Sequence, residues 1–320
     1  MASEFDIIRR YFTRPVKRAL LGVGDDCALI APEPDTLLAL STDMLVEGRH
    51  YLAGADPVKL GHKSLAVNLS DLAAMGAAPR YATLALSLPD ADETWLAQFT
   101  RGFFKLADTF DVELVGGDIT RGPRNISITV LGAVPPELAL RRDGAKVGDE
   151  VWLSGCTGDA ALALAHLNAQ VRLTDAALAH CLARLHTPVP CIALGLALRG
   201  LASSAIDVSD GLVADLGHIG ERSGVALELR YAALPRSRAI QACADERLAQ
   251  ECLLAGGDDY ELVFTASPDA RGRVASVAAD LGLALTRIGA VSAGEPGLVS
   301  VRDTDGELMA LERKGFDHFR

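Results

Sequence analysis

Strand-like and helix-like hydrophobic patterns alternate along this chain, and one stretch near its middle interrupts them. Pro135-Pro136 and the charged, glycine-containing segment 141–148 have neither the period of a helix nor that of a strand. At 320 residues the chain is also long for a single compact core. These features predict an α/β or α+β protein with two domains, residues 1–136 and 147–320.

The composition is that of an ordinary globular protein with an excess of acidic residues. Hydrophobic residues make up 49% of the chain and charged residues 23%, which provides enough apolar side chains for two cores. The net charge of -11 at pH 7 opposes a general nucleic-acid or anionic-membrane surface, because both would be repelled at long range. If the ligand is itself a polyanion, divalent cations must lie between it and the protein.

Targeting and cysteine patterns indicate a cytoplasmic protein. Glu4 and Asp6 stand where a signal peptide needs an apolar run, and no segment reaches the ~20 apolar residues of a membrane helix. The six cysteines form no C-x-x-C pair and have no accompanying histidine spacing, so neither a zinc site nor a disulfide framework is indicated. We interpret them as mostly small buried side chains in a reducing compartment.

The local patterns predict the order of helices and strands. In the first half, helices are predicted over 5–12, 61–80 and 91–108, and strands over 20–32, 36–40, 81–88, 112–115 and 126–134. A glycine turn interrupts the first of these strands. In the second half, helices are predicted over 160–168, 175–185, 190–201, 212–223 and 268–281. Strands are predicted there over 150–153, 205–208, 225–229, 261–265, 285–290 and 298–301.

The helix predicted over 61–80 carries one acid among small and apolar residues. Asp56 followed by Pro57 is typical of a helix start. The residues that lie about one turn apart on one face are Leu60, Ser64, Val67 and Asp71. An isolated charge is costly in apolar surroundings and the next five residues include no cation, so this carboxylate must be paired or bound to a metal ion. The alternative is that Asp71 caps a second helix beginning at Leu72.

Acids recur at the predicted strand ends, each beside a glycine or a small hydroxyl residue. The acidic segments are 24–26 (GDD), 41–43 (STD), 116–118 (GGD), 206–211 (IDVSDG) and 256–259 (GGDD). Strand ends present side chains and backbone amides to ligands, although each segment alone also suits an ordinary turn. With Asp71 they form a set of carboxylate and hydroxyl oxygens without His or Cys, which suits Mg²⁺.

The common nucleotide-binding signatures are missing. Segment 61–64 (GHKS) matches only the end of a P-loop and lies in a helical pattern, where we expect Lys63 to be solvated. Segment 22–24 (GVG) lacks the third glycine of a dinucleotide fingerprint, and no protein-kinase motif occurs. Arg142 or Lys146 is the candidate phosphate contact. The residues alone therefore indicate a magnesium-dependent enzyme that acts on phosphates without a P-loop.

Six segments also carry a family resemblance, in order along nearly the whole chain. They read GVGDDCAL, STDMLVEGRHY, NLSDLAAMGAAP, GGDITRG, AIDVSDGL followed by DLGHI, and GGDDYELVF. Together they resemble the thiamine-monophosphate kinase family, within the superfamily of aminoimidazole ribonucleotide synthetase, selenophosphate synthetase and a hydrogenase maturation factor. The resemblance implies transfer of the ATP γ-phosphate onto thiamine monophosphate, giving thiamine diphosphate and ADP. It also implies a homodimer in which two N-terminal sheets join into a β-barrel, with ATP and substrate between the two domains.

The resemblance further implies roles for domains and residues. Residues 1–136 would form an ATP- and Mg²⁺-binding, dimerising domain of a synthetase-like fold, and residues 147–320 a C-terminal α/β domain. The side chains implied to hold Mg²⁺ are Asp26, Ser41, Thr42, Asp43, Asp71, Asp118, Asp207 and Asp210. Those implied to contact ATP are Gly117, Asp118, Arg142 and Ser209. Those implied to face thiamine monophosphate are His50, Asp258 and Phe316.

Two of these positions depart from the family pattern. Asp258 stands where Glu is common, so its contact to the thiamine pyrimidine is expected to be longer or water-mediated. Phe316 stands where Tyr or Trp is common, and it can stack on a flat ring but cannot donate a hydrogen bond. The alternatives are that His50 is a satisfied surface histidine and that Phe316 is a tail residue over a hydrophobic patch.

Two other classes of function stay open from the sequence. The same scaffold supports ATP-dependent ring closure and selenophosphate formation. The second of these favours a reactive Cys in a glycine-rich N-terminal segment, but residues 1–26 contain no Cys and Cys27 lies in a strand-like apolar run. A nucleotide-binding or assembly protein without catalysis would have lost several metal-binding acids, yet every acidic segment is complete here.

Overall fold

The computed structural model describes residues 3–313, 315 and 316, and these residues form two compact units. The first unit runs to Leu72 and resumes over Ala77–Glu137. The second comprises Ala73–Gly76 and the described residues from Leu138 onward. Each unit contains one mixed sheet, with four strands in the first and six in the second. The mixed α/β class predicted from the alternating patterns is therefore confirmed.

The first unit builds its sheet from strands that are not consecutive in the chain. Its elements are α1 (Glu4–Ile7), a π-helical turn (Ile8–Phe12), β1 (Leu37–Val46), α2 (Pro57–Ala74), β2 (Ala78–Leu88), α3 (Glu93–Thr109), β3 (Glu113–Arg121) and β4 (Asn125–Val134). The sheet order is β1-β4-β2-β3, so β1 and β3 are the edge strands. β4 pairs antiparallel with β1 and β2, whereas β3 runs parallel to β2.

Helix α2 begins as the sequence predicts and is buried along most of its length. The Asp56 carboxylate accepts hydrogen bonds from the Val58 and Lys59 amides at 2.8 and 3.2 Å, which caps the first turn. Gly61 lies against α3, and a Cβ at this position would be 2.1 Å from the Phe99 carbonyl oxygen. The two helices therefore touch backbone to backbone, and the crossing has no room for a larger residue.

Three local predictions for the first unit are wrong. Segment 20–32 contains isolated bridges instead of a strand, because two glycines and two adjacent acids interrupt the pairing. The helix predicted over 61–80 ends at Ala74, since Gly76 takes a left-handed φ of 61° and β2 begins two residues later. Lys63 is 4% exposed, not solvated, because α2 is enclosed on this side as well.

The acidic segments 41–43 and 116–118 lie inside strands, which corrects their predicted place at strand ends. β1 continues to Val46 because each of its residues pairs with β4, and this pairing outweighs the weak strand propensity of Ser and Asp. β3 likewise continues past its two glycines to Arg121. A register shift against β2 leaves Val115 as a bulge residue immediately before the glycines.

The second unit packs helices on a six-stranded sheet. Its elements are β5 (Glu150–Ser154), α4 (Asp159–Leu167), α5 (Asp175–His186), α6 (Ile192–Ala197), β6 (Ser204–Asp207), α7 (Leu212–Ser223), β7 (Ala226–Arg230), α8 (Arg238–Gln241), α9 (Glu246–Ala255), β8 (Leu262–Ala266), α10 (Arg271–Leu281), β9 (Leu285–Ser292) and β10 (Val299–Arg302). The sheet order is β10-β7-β9-β5-β8-β6. α7 buries Leu212, Leu216 and Ile219 in the core that it shares with these strands.

Most predicted elements of the second unit are confirmed to within a few residues, and α7 spans the predicted 212–223. The sequence patterns missed α9, whose charged residues obscure its apolar face. The interpretation of the cysteines as mostly buried is also wrong: Cys181 and Cys252 are buried, Cys27 is exposed and the other three are half-buried. Across the described part of the chain, no helix combines the length and the hydropathy that a bilayer span requires.

Candidate active site

Asp71 lies inside α2 and is partnered by a hydroxyl group from β1. The Ser41 Oγ donates a hydrogen bond of 2.5 Å to Asp71 Oδ2, and both residues are partly buried. Because α2 is continuous through Ala74, the alternative in which Asp71 starts a second helix is wrong. A hydroxyl group orients the carboxylate by donating a hydrogen bond but brings no positive charge of its own.

Asn68 fixes β1 against the same face of α2. Its Oδ1 accepts a hydrogen bond of 2.9 Å from the Asp43 amide, and its Nδ2 donates one of 2.9 Å to the Ser64 carbonyl. Thr42 faces the neighbouring strand instead, where its Oγ1 lies 2.8 Å from the Thr129 Oγ1. Sequence reasoning missed Asn68, although a fully buried amide one turn before Asp71 in an apolar helix is itself a signal.

Gly117 and Asp118 lie on β3, the opposite edge of the sheet from β1. Gly117 has a φ of 152° and approaches β2 so closely that a Cβ would be 1.9 Å from the Leu84 carbonyl oxygen. Asp118 is exposed, and beside it lies an apolar cavity of about 40 Å³ whose lining includes Ile8 and Phe12. The sheet therefore presents acids at both of its edges rather than at one.

Two further predicted residues of the first unit lie in turns. Asp26 is exposed, and its amide donates a hydrogen bond of 2.9 Å to the carboxylate of Asp25. His50 is half-buried, and its Nδ1 accepts a hydrogen bond of 3.0 Å from the Val46 amide, so its own turn fixes the ring orientation. This contact fits the alternative of a satisfied histidine and leaves a ligand-binding role as a prediction.

In the second unit, the loop 208–211 follows β6 and joins it to α7. Asp207, the last residue of β6, is 4% exposed. The amides of Ser209, Asp210 and Gly211 all donate to Oδ2 of Asp215, at 3.0, 3.1 and 3.1 Å. Asp215 is 2% exposed, and burial, followed by the charge of Asp210, raises the pKa of its carboxyl to about 7.

The carbonyl groups of the same loop hold the segments that carry two predicted substrate residues. The Asp258 amide donates to the Ser209 carbonyl at 2.9 Å, and the Phe316 amide donates to the Asp210 carbonyl at 2.9 Å. Phe316 is 43% exposed. Four residues that the resemblance assigns to metal, ATP or substrate therefore meet at this loop: Ser209, Asp210, Asp258 and Phe316. Together they span more than 100 positions of the chain.

Tyr260 orients the Asp258 side chain. Its hydroxyl group donates a hydrogen bond of 2.9 Å to Asp258 Oδ1. Both residues adopt a left-handed backbone, with φ of 68° for Asp258 and 53° for Tyr260, which is costly for residues with a Cβ. Sequence reasoning missed the role of Tyr260, because a left-handed pair in this segment leaves no simple pattern.

Asp259 lies between Asp258 and Tyr260 in the chain, and its buried carboxylate anchors the segment 258–260. It is 2% exposed and its carboxylate accepts hydrogen bonds from the Gly158 amide at 2.8 and 3.0 Å. Burial raises the pKa of the Asp259 carboxyl well above its ordinary value. Arg184 approaches the same segment and donates a hydrogen bond of 2.5 Å to Glu261. This buried network holds Asp258 and Tyr260 in their strained conformation.

The remaining predicted phosphate contact, Arg142, is exposed at the surface of the second unit. Its backbone is fixed by the Ser223 Oγ, which donates a hydrogen bond of 2.7 Å to the Arg142 carbonyl. Within residues 3–313, 315 and 316, no three carboxylate, imidazole or thiol side chains form a cluster suited to a metal ion. Of the acids assigned to Mg²⁺, Asp26, Asp43, Asp71 and Asp118 lie in the first unit, and Asp207 and Asp210 lie in the second.

The sequence and the fold of this chain are similar to those of several known proteins. A family described as AIR synthase related protein, N-terminal domain, matches residues 24–134. The thiamine-monophosphate kinase of Escherichia coli K12 is 47% identical over 322 aligned residues, which cover 99% of this chain and 98% of that protein. The crystal structure of the thiamine-monophosphate kinase from Stenotrophomonas maltophilia K279a has a TM-score of 0.85 and 46% identity over 95% of each chain.

A third comparison brings in a structure with ligands. AaThiL, solved in complex with AMPPCP and TMP, has a TM-score of 0.77 and 31% identity, covering 90% of this chain and 89% of its own. Sequence identity of 46% to 47% over at least 95% of the chain shows the family to which it belongs. The chain belongs to the thiamine-monophosphate kinase family.

Proposed function

We propose that this protein phosphorylates thiamine monophosphate with ATP, giving thiamine diphosphate and ADP. The observation that carries the proposal is 47% identity to a thiamine-monophosphate kinase over 99% of the chain. The complex of AaThiL with AMPPCP and TMP, an ATP analogue and the proposed acceptor, supports both substrates. We also propose a cytoplasmic location, which the supply of ATP in that compartment supports.

The proposed reaction is a direct phosphoryl transfer. A terminal oxygen of thiamine monophosphate attacks the γ-phosphorus of ATP, the bond from that phosphorus to the bridging oxygen breaks, and ADP leaves with the electron pair. A phosphate oxygen that is already ionised near neutral pH needs no base to remove a proton. The protein then contributes position and charge neutralisation rather than a covalent nucleophile.

The donor set fits Mg²⁺ because it consists of carboxylate and hydroxyl oxygens. In this proposal the metal-binding side chains are Asp26, Ser41, Thr42, Asp43, Asp71, Asp118, Asp207 and Asp210. When bound, Mg²⁺ neutralises phosphate charge at the reacting centre. The hydrogen bond from Ser41 to Asp71 orients that carboxylate before any ion binds, and Asn68 holds the backbone of Asp43 beside it.

The remaining roles follow from the family resemblance and the local geometry. Gly117, Asp118, Arg142 and Ser209 would contact ATP. His50, Asp258 and Phe316 would face thiamine monophosphate. The Tyr260 hydroxyl group fixes one oxygen of Asp258, so this carboxylate is preorganised to accept a hydrogen bond from a flat ring. Phe316 is 43% exposed, and its aromatic ring suits stacking on a flat ligand ring.

We also propose a homodimer, in which β1 of each protomer joins an intersubunit β-barrel. β1 is an edge strand, and Leu38, Leu40 and Met44 on it are 63%, 62% and 53% exposed. Long apolar edge strands are rare in monomers because they pair with other chains. Residues 1–136 would then form the ATP-binding and dimerising domain and residues 147–320 the C-terminal α/β domain. A monomer in light scattering at micromolar concentration would contradict this part of the proposal.

The experiment that tests the function is an ADP-release assay with ATP and Mg²⁺. Thiamine monophosphate, thiamine and no acceptor are compared, and the product is identified by chromatography. ADP release that depends on thiamine monophosphate, with matching formation of thiamine diphosphate, supports the proposal. Release without thiamine diphosphate, or no release with any acceptor, rejects it.

A further inference from the structure

We propose that Asp215 is a positioning residue for the transfer site, holding the loop 209–211 so that this loop fixes both the nucleotide-side and the substrate-side residues. The proposal rests on the proposed function for its kinetic readout. Asp215 itself is 2% exposed and lies within the first turn of α7, where its amide donates to the Gly211 carbonyl at 3.0 Å. It therefore acts through the loop and not by touching a ligand.

One carboxylate oxygen serves three consecutive amides. Asp215 Oδ2 accepts from Ser209, Asp210 and Gly211 at 3.0 to 3.1 Å, so the three N–H groups converge on one point. Convergent amides form an anion-binding concavity, and a single oxygen at their focus fixes all three amides at once. Elsewhere such a concavity binds a phosphate, but here the protein fills it with its own acid. The loop amides are thereby directed inward.

With its amides turned inward, the loop presents its side chains and carbonyl groups to its other neighbours. The Ser209 carbonyl accepts from the Asp258 amide and the Asp210 carbonyl accepts from the Phe316 amide, both at 2.9 Å. A rotation of either peptide group would break one bond to Asp215 and one bond to a substrate-side segment. The conformation that Asp215 enforces thus couples the position of Ser209 and Asp210 to that of Asp258 and Phe316.

The loop cannot relax in the opposite direction. Gly211 has a φ of 132°, and a Cβ there would lie 2.8 Å from the backbone of Ala255 at the end of α9. Gly257 passes still closer to the loop, since a Cβ at this position would lie 2.3 Å from the Ser209 carbonyl oxygen. Backbone on one side and the Asp215 carboxylate on the other leave the loop one conformation.

The test compares Asp215→Asn with a matched control, Asp149→Asn. Asp149 is also buried in the second unit, at 6% exposure, and accepts hydrogen bonds from the Lys146 amide at 3.0 Å and the Ser203 Oγ at 2.6 Å. In the proposed site Arg142, and not its alternative Lys146, contacts ATP, so neither of these two partners belongs to that site. Asparagine preserves size and one acceptor oxygen, so Asp215→Asn keeps the comparison valid even where Asp215→Ala fails to fold.

Kinetics and binding give the first readout. We expect Asp215→Asn to lower kcat and to raise KM for thiamine monophosphate about tenfold or more, as lost positioning does in other enzymes. Its dissociation constant for AMPPCP, measured by calorimetry, should rise in parallel. Asp149→Asn should lower the urea midpoint by about as much as Asp215→Asn does. It should leave the KM for thiamine monophosphate and the dissociation constant for AMPPCP within about twofold of the unmodified protein. Equal kinetic losses in the two variants at equal loss of stability would overturn the proposal.

Amide hydrogen exchange gives a readout that needs no substrate. In Asp215→Asn the amides of residues 209–211 should exchange about tenfold faster or more than in the unmodified protein, because the carboxylate oxygen on which all three converge is replaced. Unchanged exchange at these three amides would also overturn the proposal. An unmodified protein that makes no thiamine diphosphate would reject the proposed function alone, because the exchange measurement still decides the role of Asp215.

Discussion

Gly116 and Gly117 are neighbours on β3 with opposite tolerance for a side chain. A Cβ on Gly117 would lie 1.9 Å from the Leu84 carbonyl oxygen, and the φ of 152° disfavours any residue with a Cβ. A Cβ on Gly116 would meet only Thr83 Cγ2, at an ordinary 3.9 Å. Gly117→Ala therefore forces β3 away from β2, whereas Gly116→Ala fits in place.

The magnitudes follow from this geometry. We expect Gly117→Ala to lower the free energy of unfolding by about 3 kcal/mol, which combines backbone strain of ~1–2 kcal/mol with overpacking of ~1–3 kcal/mol. We expect Gly116→Ala to be neutral or to stabilise the protein by about 0.5 kcal/mol, because Ala reduces the entropy of the unfolded chain. Only the change at Gly117 should raise KM for ATP, since Asp118 follows it directly.

Urea unfolding monitored by circular dichroism measures the first effect, and initial rates at varied ATP concentration measure the second. Both variants are compared with the unmodified protein at the same protein concentration. Equal urea midpoints for the two variants would refute the close contact of Gly117 with β2. A destabilised Gly117→Ala variant with an unchanged KM for ATP would remove Gly117 from the proposed nucleotide contact.

Three other changes test the site and the stability of the second unit. Asp71→Asn should reduce turnover on the order of 100-fold or more at an unchanged melting temperature, because it removes charge but keeps an acceptor for Ser41; a parallel loss of stability would make Asp71 structural. Phe316→Ala should raise the dissociation constant of thiamine monophosphate more than that of AMPPCP in calorimetry, and equal effects would exclude stacking on the substrate. Arg271 and Arg287 bind the buried Glu150 and lower its pKa, so their stabilisation is present above pH 4.5 and lost as pH falls through the lowered pKa. Glu150→Gln should therefore cost about 2 kcal/mol at pH 7 and flatten the acid side of the stability profile in urea titrations. Glu228 forms a separate, half-exposed ion pair with Arg302, and Glu228→Gln should cost less than about 1 kcal/mol.

Local signals in the sequence predicted much of the fold. α2 was predictable because Asp56 and Pro57 mark its start, and α7 because a full amphipathic period ends at a glycine in the left-handed region, Gly224. α9 carried a usable signal as well: Asp245 caps it by accepting from the Leu248 amide at 3.0 Å. Its three charged residues, Glu246, Arg247 and Glu251, obscured the apolar stripe in the pattern.

Strand boundaries at the acidic segments were not predictable from local propensity. Ser41 and Asp43 disfavour a strand, yet both pair with β4 residues that lie near position 130. The same holds for the two glycines of β3, which are tolerated in a strand because they follow a bulge and allow the close approach to β2. Long-range pairing decides such boundaries, and a single sequence does not contain it.

In the candidate site, too, local motifs predicted some residues, whereas long-range contacts could not be predicted. The motifs identified Asp71, Asp210 and Asp258, but not the contacts that orient them. Ser209 meets Asp258 because β6 and β8 are neighbours in the sheet, and that order follows from topology. Asp215 had only a general signal, since acids are common in the first turn of a helix, where they face the positive end of the helix dipole. Such a position does not indicate the control of a loop.

The central strand of the first sheet has a consequence for synthesis. β4 is the last strand of that sheet in the chain, yet β1 and β2 both pair with it, and Leu37 meets Val134 about a hundred residues later. A nascent chain that has not reached residue 134 therefore holds two strands without their common partner. During this interval the open apolar edges are available to chaperones or to other nascent chains. Fragments that end before β4 should aggregate, however well their own helices form.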